Sequence, residues 1–219
     1  MSYDKYYNEA GQLIHDTGKG DQNYVIRTTQ TTAQIYSDDP YNPRPGRESN
    51  PISVEKAAEV ESEIKKGNVD NALVQDNVVA LGTTSQMEQV MDIMAQDDGK
   101  GGDNQNITEY NATISDQGVV AEGKPGKPLK ISNSGKAGIP QTSIKISKAT
   151  NIVIHNHISG VAVSPNEKKA TGPAVQGPSS RDISVAREKG VTGQVYGSRN
   201  KTIYVYDGSG VIATIPFKR

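Results

Sequence analysis

The hydrophobic period of this chain changes across one Gly- and Asp-rich stretch, Asp97–Asn106 (DDGKGGDNQN). Ahead of it apolar residues recur at helical spacing; behind it they alternate or run in short β-branched blocks. A period of 3.6 does not fit a pleated strand, and a period of 2 does not fit a helix face, so the two parts must build different elements. In the first part Ser53 can cap a helix running to Lys66, with Ala57, Val60 and Ile64 on one face and Gly67 as its stop. Two more helices are predicted over Val69–Ala80 and Thr84–Ala95. Met87, Val90, Met91 and Met94 share one side of the latter, a spacing that reads as core. Behind the boundary, strands are predicted over Ile107–Ile114, Val119–Glu122, Ser143–Lys148 and Asn151–His155. A long polar loop, Ser159–Pro178, then leads to a helix over Ser179–Lys189 that stops at Gly190. A meander closes the chain through Gly193–Gly197, Lys201–Asp207 and Val211–Phe217. Strands with one inserted helix make this part α+β or a layered α/β/α arrangement.

The opening residues read as two short strands joined by a Gly-rich turn, through Tyr6-Tyr7, Leu13-Ile14 and Tyr24–Ile26. Asp38–Pro51, with four prolines, has the composition of a loop or linker. The expected organisation is therefore an N-terminal hairpin and linker over 1–51, a helical accessory region and flexible linker over 52–106, and a main domain over 107–219. Only 33% of the 219 residues are hydrophobic, with no Trp and one Phe, so the core must come from Val, Ile, Ala and the ten Tyr. A net charge of −1 gives no bulk attraction to nucleic acid or to an anionic membrane. The lack of cysteine excludes disulfides, thiol nucleophiles and Cys-ligated zinc. No apolar run approaches the ~18 residues of a membrane span, and the polar N-terminus has no apolar signal-peptide core.

Two of the three histidines stand in Asn151-Ile-Val-Ile-His155-Asn-His157-Ile-Ser-Gly. At the end of a strand, residues two apart share a face, so both imidazoles can reach one metal ion. The same pair reads equally well as polar strand-end residues. Further on, Pro178-Ser-Ser-Arg-Asp182 places a serine three residues before an aspartate at a helix start. That spacing is an ordinary capping-box variant, and it also puts a carboxylate where a neighbouring strand end can meet it. Two histidines and one aspartate give the three protein ligands of a catalytic zinc site. His15, beside Asp16, reads as a surface residue; Gly18-Lys-Gly20 and Gly99–Gly102 read as turns or linker, without phosphate-loop spacing.

HNHISG followed by PSSRDI resembles the HxH and SxxD signature of the JAB/MPN (JAMM) metallopeptidases, above all the RadC-like and bacterial toxin subtypes. The resemblance covers Ile107–Phe217 and implies an α/β/α layered domain with a mixed sheet. It implies that His155, His157 and Asp182 bind Zn²⁺ and that Ser179 helps bind a developing oxyanion. The family also uses a glutamate from an earlier strand, for which Glu109 and Glu122 compete; Glu109-Tyr110, entering a hairpin, is the closer match. The chain departs from the pattern at Ile158, where the family has proline, and at Asn111-Ala112, where it has glycines. It departs again in the 21 residues between His157 and Ser179, longer than the family's gap. YYNEAGQLIHDTGKGD and the closing TIYVYDGSGVIATIPF are similar to segments of YD-repeat and Rhs-type polymorphic toxins. Together these resemblances imply an effector domain delivered into a target-cell cytoplasm. They imply hydrolysis of a peptide or isopeptide bond, such as that of a ubiquitin-like tail, and a cognate immunity protein as partner. A silent scaffold domain and a RadC-like DNA-associated protein are the alternative expectations.

Overall fold

In a computed structural model that describes residues 4–39, 44–102, 105–138, 142–167, 170–171 and 175–218, the last six residues of Thr150–His157 are all buried. A strand buried on both faces must lie inside a sheet that is covered on both sides. The elements that build and cover it are, in chain order, β1 (Lys5–Tyr7), β2 (Leu13–Asp16), β3 (Gln22–Ile26), α1 (Thr32–Ile35), α2 (Val54–Lys65), α3 (Ala72–Gln75), β4 (Val78–Thr83) and α4 (Thr84–Met94). They continue with β5 (Asn111–Ser115), β6 (Val120–Glu122), β7 (Thr150–His157), β8 (Ala162–Val163), β9 (Ala170–Thr171), α5 (Ser180–Lys189), β10 (Thr192–Gly197), β11 (Thr202–Asp207) and β12 (Gly210–Pro216). The chain is thus mixed α/β, mostly strand with few helices.

Six strands form the central sheet in the order β12-β11-β10-β7-β5-β6, and only β7 and β10 run parallel. A second sheet, ordered β2-β1-β3-β4, contains one parallel pair, β1 with β3. Period-2 alternation divides the central strands. Ile152 and Ile154 of β7, with Ile203 and Val205 of β11, pack against Val25, Leu81, Val90 and Met94 from the second sheet and α4. Val195, Tyr204 and Tyr206 pack on the opposite side with Ile183 and Ala186 of α5 and with Ile35 and Tyr36. No helix among the described residues is long and apolar enough to cross a membrane.

Several helix ends match the expected capping chemistry. Ser53 Oγ accepts from Lys56 N at 3.1 Å, and Gly67 takes the left-handed conformation that stops α2. Thr83 and Gln86 form a reciprocal capping box on α4, and Gly190 ends α5 with φ near 64°. Met94 is buried and Met87 and Met91 pack against the same core, as their spacing predicts.

Several expectations are corrected. The helix predicted over Val69–Ala80 is only α3, capped by Asn71, after which Val78–Thr83 form β4 against β3. The helical spacing of Val69, Leu73 and Val74 continues into a β-branched run whose partner lies more than 50 residues earlier, and ladder pairing overrides the local pattern. Ser143–Ser147 alternates exposed and half-buried residues and Lys148 begins a turn, and the segment joins no strand ladder among the described residues. The predicted strand over Ile107–Ile114 starts its ladder only at Asn111, and β7 extends through His157 instead of ending at His155. Residues 44–51 of the proline-rich segment are held rather than loose: Val211 N donates to Glu48 O at 2.9 Å, and Asn50 N to Val211 O at 2.8 Å.

Gly193 of β10 faces Tyr206 of β11 across the sheet, and a Cβ there would stand 2.0 Å from Tyr206 Cζ. The buried Tyr206 ring therefore occupies the space of the missing side chain. Gly193→Ala must displace that ring, and overpacking of this kind costs about 1–3 kcal/mol. A urea melt of the variant is expected to show that loss; an unchanged midpoint would mean that the ring moves without cost.

Candidate metal centre

His155 and His157 lie on the α5-facing side of β7, because residues two apart on a strand point the same way. The chain leaves β7 at His157 and must return to begin β10 in the same direction. Its crossover helix α5 therefore runs back along the sheet, with its N-terminus near the end of β7 where the crossover begins. Asp182 sits in the first turn of α5, where the helix dipole favours a carboxylate. Ser179 completes a capping box: its N–H donates to Asp182 Oδ2 at 2.7 Å, its hydroxyl donates to the same oxygen at 2.6 Å, and Asp182 N donates to Ser179 Oγ at 3.3 Å. The box leaves Oδ1 facing His155, at 3.7 Å from Nε2.

The two imidazole Nε2 atoms are 3.3 Å apart, and one ligand atom from each of His155, His157 and Asp182 lies within 4.8 Å of the others. Two nitrogens each about 2.0–2.1 Å from one tetrahedral ion stand about 3.3–3.4 Å from each other, so the observed spacing matches shared coordination. His157 Nδ1 is 2.7 Å from the Val175 carbonyl oxygen, which can only accept, so Nδ1 carries the proton and Nε2 presents a lone pair. His155 Nδ1 is buried with no hydrogen-bond partner among the described residues. These three residues could hold a metal ion; imidazole nitrogens with one carboxylate are the donor set of zinc and related divalent ions.

The electrostatics agree with that donor set. Burial, reinforced by neighbouring His155, pushes His157 down to about 4, against the opposing pull of Asp182 and the Val175 bond. Burial alone would raise the Asp182 carboxyl; the two histidines and the two bonds from Ser179 outweigh it and hold the group below its ordinary value. A neutral His157 imidazole beside an ionised Asp182 carboxylate is the protonation pattern that a cation requires.

Glu109 comes to the same face. β5 and β7 pair with Asn111 opposite His155, and the bond from Asn156 N to Tyr110 O at 3.1 Å carries the pairing one step further. That register puts Glu109 opposite His157. The side chain is buried, and Oε2 accepts from Thr142 N at 3.2 Å. Burial raises its carboxyl to about 8, with the Asp182 charge adding to the rise and the Thr142 bond opposing it. Glu122 is elsewhere: it pairs with Ala112, on the other face of the sheet, is exposed, and accepts from Gln96 Nε2 at 2.8 Å. His15 lies on β2 in the second sheet, apart from the histidine pair.

Some contributors carry no sequence signal. Val175 acts through its carbonyl and Thr142 through its amide, which any residue type supplies. Gln176 is buried and pins the loop that carries Val175. Its Nε2 donates to Ile158 O at 3.3 Å, and its Oε1 accepts from Arg199 N at 2.8 Å. Comparison of the chain with family models, with curated proteins and with solved structures gives no match.

Two outcomes follow from this geometry. The protein is expected to take up close to one divalent ion per chain, and His155→Ala with His157→Ala is expected to abolish it; one zinc per chain retained in that double variant, by elemental analysis, would overturn the ligand set. The second concerns the metal-free protein. Below the ordinary 6.5 of histidine the unfolded chain binds a proton that His157, at about 4, refuses, so stability falls as the pH drops through that window. Between 4.5 and about 8 the folded protein holds a proton on Glu109 that the unfolded chain has released, so stability present at low pH is lost as the pH rises toward 8. Glu109→Gln is therefore expected to flatten the alkaline limb in chelator-treated protein. Equal urea midpoints for the two proteins at every pH would assign that limb to another group.

Proposed function

We propose that the chain is a zinc-dependent metallopeptidase of JAMM type. The observation that carries this reading is the convergence, on one sheet face, of His155, His157, Asp182 and a buried glutamate from the neighbouring strand. A mixed sheet with α5 on one face and α4 on the other supports a JAB/MPN-like layered domain as its frame. His155, His157 and Asp182 would hold the ion, and bound zinc would supply Lewis acidity toward a scissile carbonyl together with an activated water nucleophile.

The remaining chemistry belongs to side chains. Glu109 accepts the proton of the attacking water and returns it to the leaving amine, a general base and then a general acid. Burial raises its proton affinity in the metal-free protein, and the charge of a bound ion would favour the ionised carboxylate that the first transfer needs. The Thr142 bond fixes one oxygen and leaves the other for the proton. Ser179 holds Asp182 through both its amide and its hydroxyl. Rotation of the hydroxyl toward the substrate leaves the amide bond in place, so the serine can stabilise the developing negative charge on the carbonyl oxygen without releasing Asp182.

The substrate in this reading is a peptide or isopeptide bond of a target-cell protein, and the natural setting is an effector domain of a polymorphic toxin held in check by an immunity protein. The near-balanced charge of the chain speaks for a protein substrate over a nucleic acid. Glu109→Gln is the discriminating variant. It is expected to keep the zinc content and lose activity by 10²-fold or more, the scale of a lost general base. Zinc stoichiometry and peptide hydrolysis measured on one preparation check it. Full turnover in the variant would remove Glu109 from the mechanism.

A further inference from the structure

Asp182 is aimed by Ser179, and Ser179 is itself held from outside the helix. Tyr36, at the end of α1, has no exposed surface and donates its hydroxyl to the Pro178 carbonyl at 2.9 Å. That carbonyl and the Ser179 N–H belong to one peptide unit, and the N–H end donates to Asp182 Oδ2 at 2.7 Å. A hydrogen bond to the oxygen of a peptide group polarises its N–H and strengthens the bond given on the other side. The rigid plane also fixes direction, since neither end can turn without the other. A chain of three groups thus runs from an aromatic hydroxyl, through a single peptide plane, to the carboxylate that faces the histidines.

The tyrosine is braced as a positioning group must be. The Arg47 guanidinium lies 5.4 Å from the centre of its ring and is ion-paired with Asp39. On the loop side the ring lies against Gly177, where a Cβ would come within 3.0 Å of Tyr36 Cε1. Ser180 Oγ donates to the Pro45 carbonyl at 2.8 Å, and a Cβ on Gly46 would meet Ser180 Cβ at 3.2 Å, so the same N-terminal segment touches the first turn of α5 a second time. Burial keeps the phenol far above its ordinary titration range, so it remains a donor throughout the working pH range.

We infer that Tyr36 is a positioning residue for the metal ligand Asp182, acting through the Pro178–Ser179 peptide. The inference rests on the metal site proposed above. It makes Tyr36, and Arg47 that braces it, part of the machinery that sets metal affinity, although neither is a ligand.

The test uses the full chain loaded with Co²⁺, whose visible absorption reports its ligands. Tyr36→Phe removes one oxygen and leaves the ring. It is expected to weaken Co²⁺ binding by about 10-fold or more, the scale of a lost outer-shell partner. It is also expected to move the visible spectrum toward that of Asp182→Ala. Ile35→Val, a core change in the same helix, serves as a control for general loosening and is expected to lower the melting temperature with neither effect. Unchanged affinity and spectrum in Tyr36→Phe overturn the inference, whatever happens to its melting temperature. Should Tyr36→Phe fail to fold, Arg47→Lys, which removes the guanidinium from over the ring, decides by the same two readouts: a weaker site with a shifted spectrum supports the inference, and an unaltered site overturns it. A wild-type chain that binds neither Co²⁺ nor Zn²⁺ sinks the metal site itself, which is a separate result.

Discussion

The candidate centre depends on the parallel pairing of β7 with β10. Parallel neighbours cannot be joined by a tight turn; the chain has to travel back the length of the sheet, and here it does so as α5. That return sets the start of a helix, with its unpaired N–H groups and partial positive charge, near the end of a strand that finishes in two histidines. An antiparallel β7–β10 pair joined by a hairpin would leave Asp182 no route to His155. On its other side β7 pairs with β5 antiparallel, so β5 runs toward β7 from its opposite end and delivers Glu109 beside His157. One strand with one parallel and one antiparallel neighbour thus collects groups that arrive from both chain directions.

Alternation along β7 then sorts the polar residues. His155 and His157 face α5, while Asn156, between them, points into the opposite core and is fully satisfied there. Its Oδ1 accepts from Tyr110 N at 2.5 Å, and its Nδ2 lies 3.4 Å from Met94 O. A one-residue slip of register would exchange these faces, burying imidazoles in the core that holds Leu81 and Met94 and stranding an amide beside Asp182. Asn156 has no role at the proposed centre, but its bonds pin the segment from which Glu109 projects. Asn111 does similar work on the histidine side, where its Nδ2 donates to Lys124 O and to Thr142 Oγ1 and so holds the stretch whose amide meets Glu109.

Much of this was legible in the residues. Ser53 and Ser179 mark helix starts through local capping chemistry, and Gly67 and Gly190 mark stops, because caps are satisfied within a few residues of the chain. The closing meander was legible for the same reason, since β10, β11 and β12 join through short turns. What failed were elements whose partners are distant. Val78–Thr83 became a strand because β3 offered it a ladder, and Ser143–Lys148, with the right alternation, found none. The candidate site divides along the same line. HxH and SxxD are local patterns that pointed to His155, His157, Ser179 and Asp182, whereas the choice between Glu109 and Glu122 turns on which sheet face each occupies. That follows from the β5–β7 register, which spans some forty residues of intervening chain.

By itself, then, the sequence determined the absence of thiol chemistry, the helix caps, the hydrophobic periods and the two short motifs that carry the candidate ligands. Each is a property of residue types at fixed spacing, and the chain enforces it wherever it folds. Tertiary structure alone decided that Nε2 of His155 stands 3.3 Å from Nε2 of His157, that a carbonyl from Val175 sets the imidazole tautomer, and that Tyr36 reaches the peptide ahead of Asp182 from 142 residues away. Those contacts are made by backbone atoms or by groups remote in the chain. Their free energy arises only after the sheet has closed, so no local pattern of side chains encodes them.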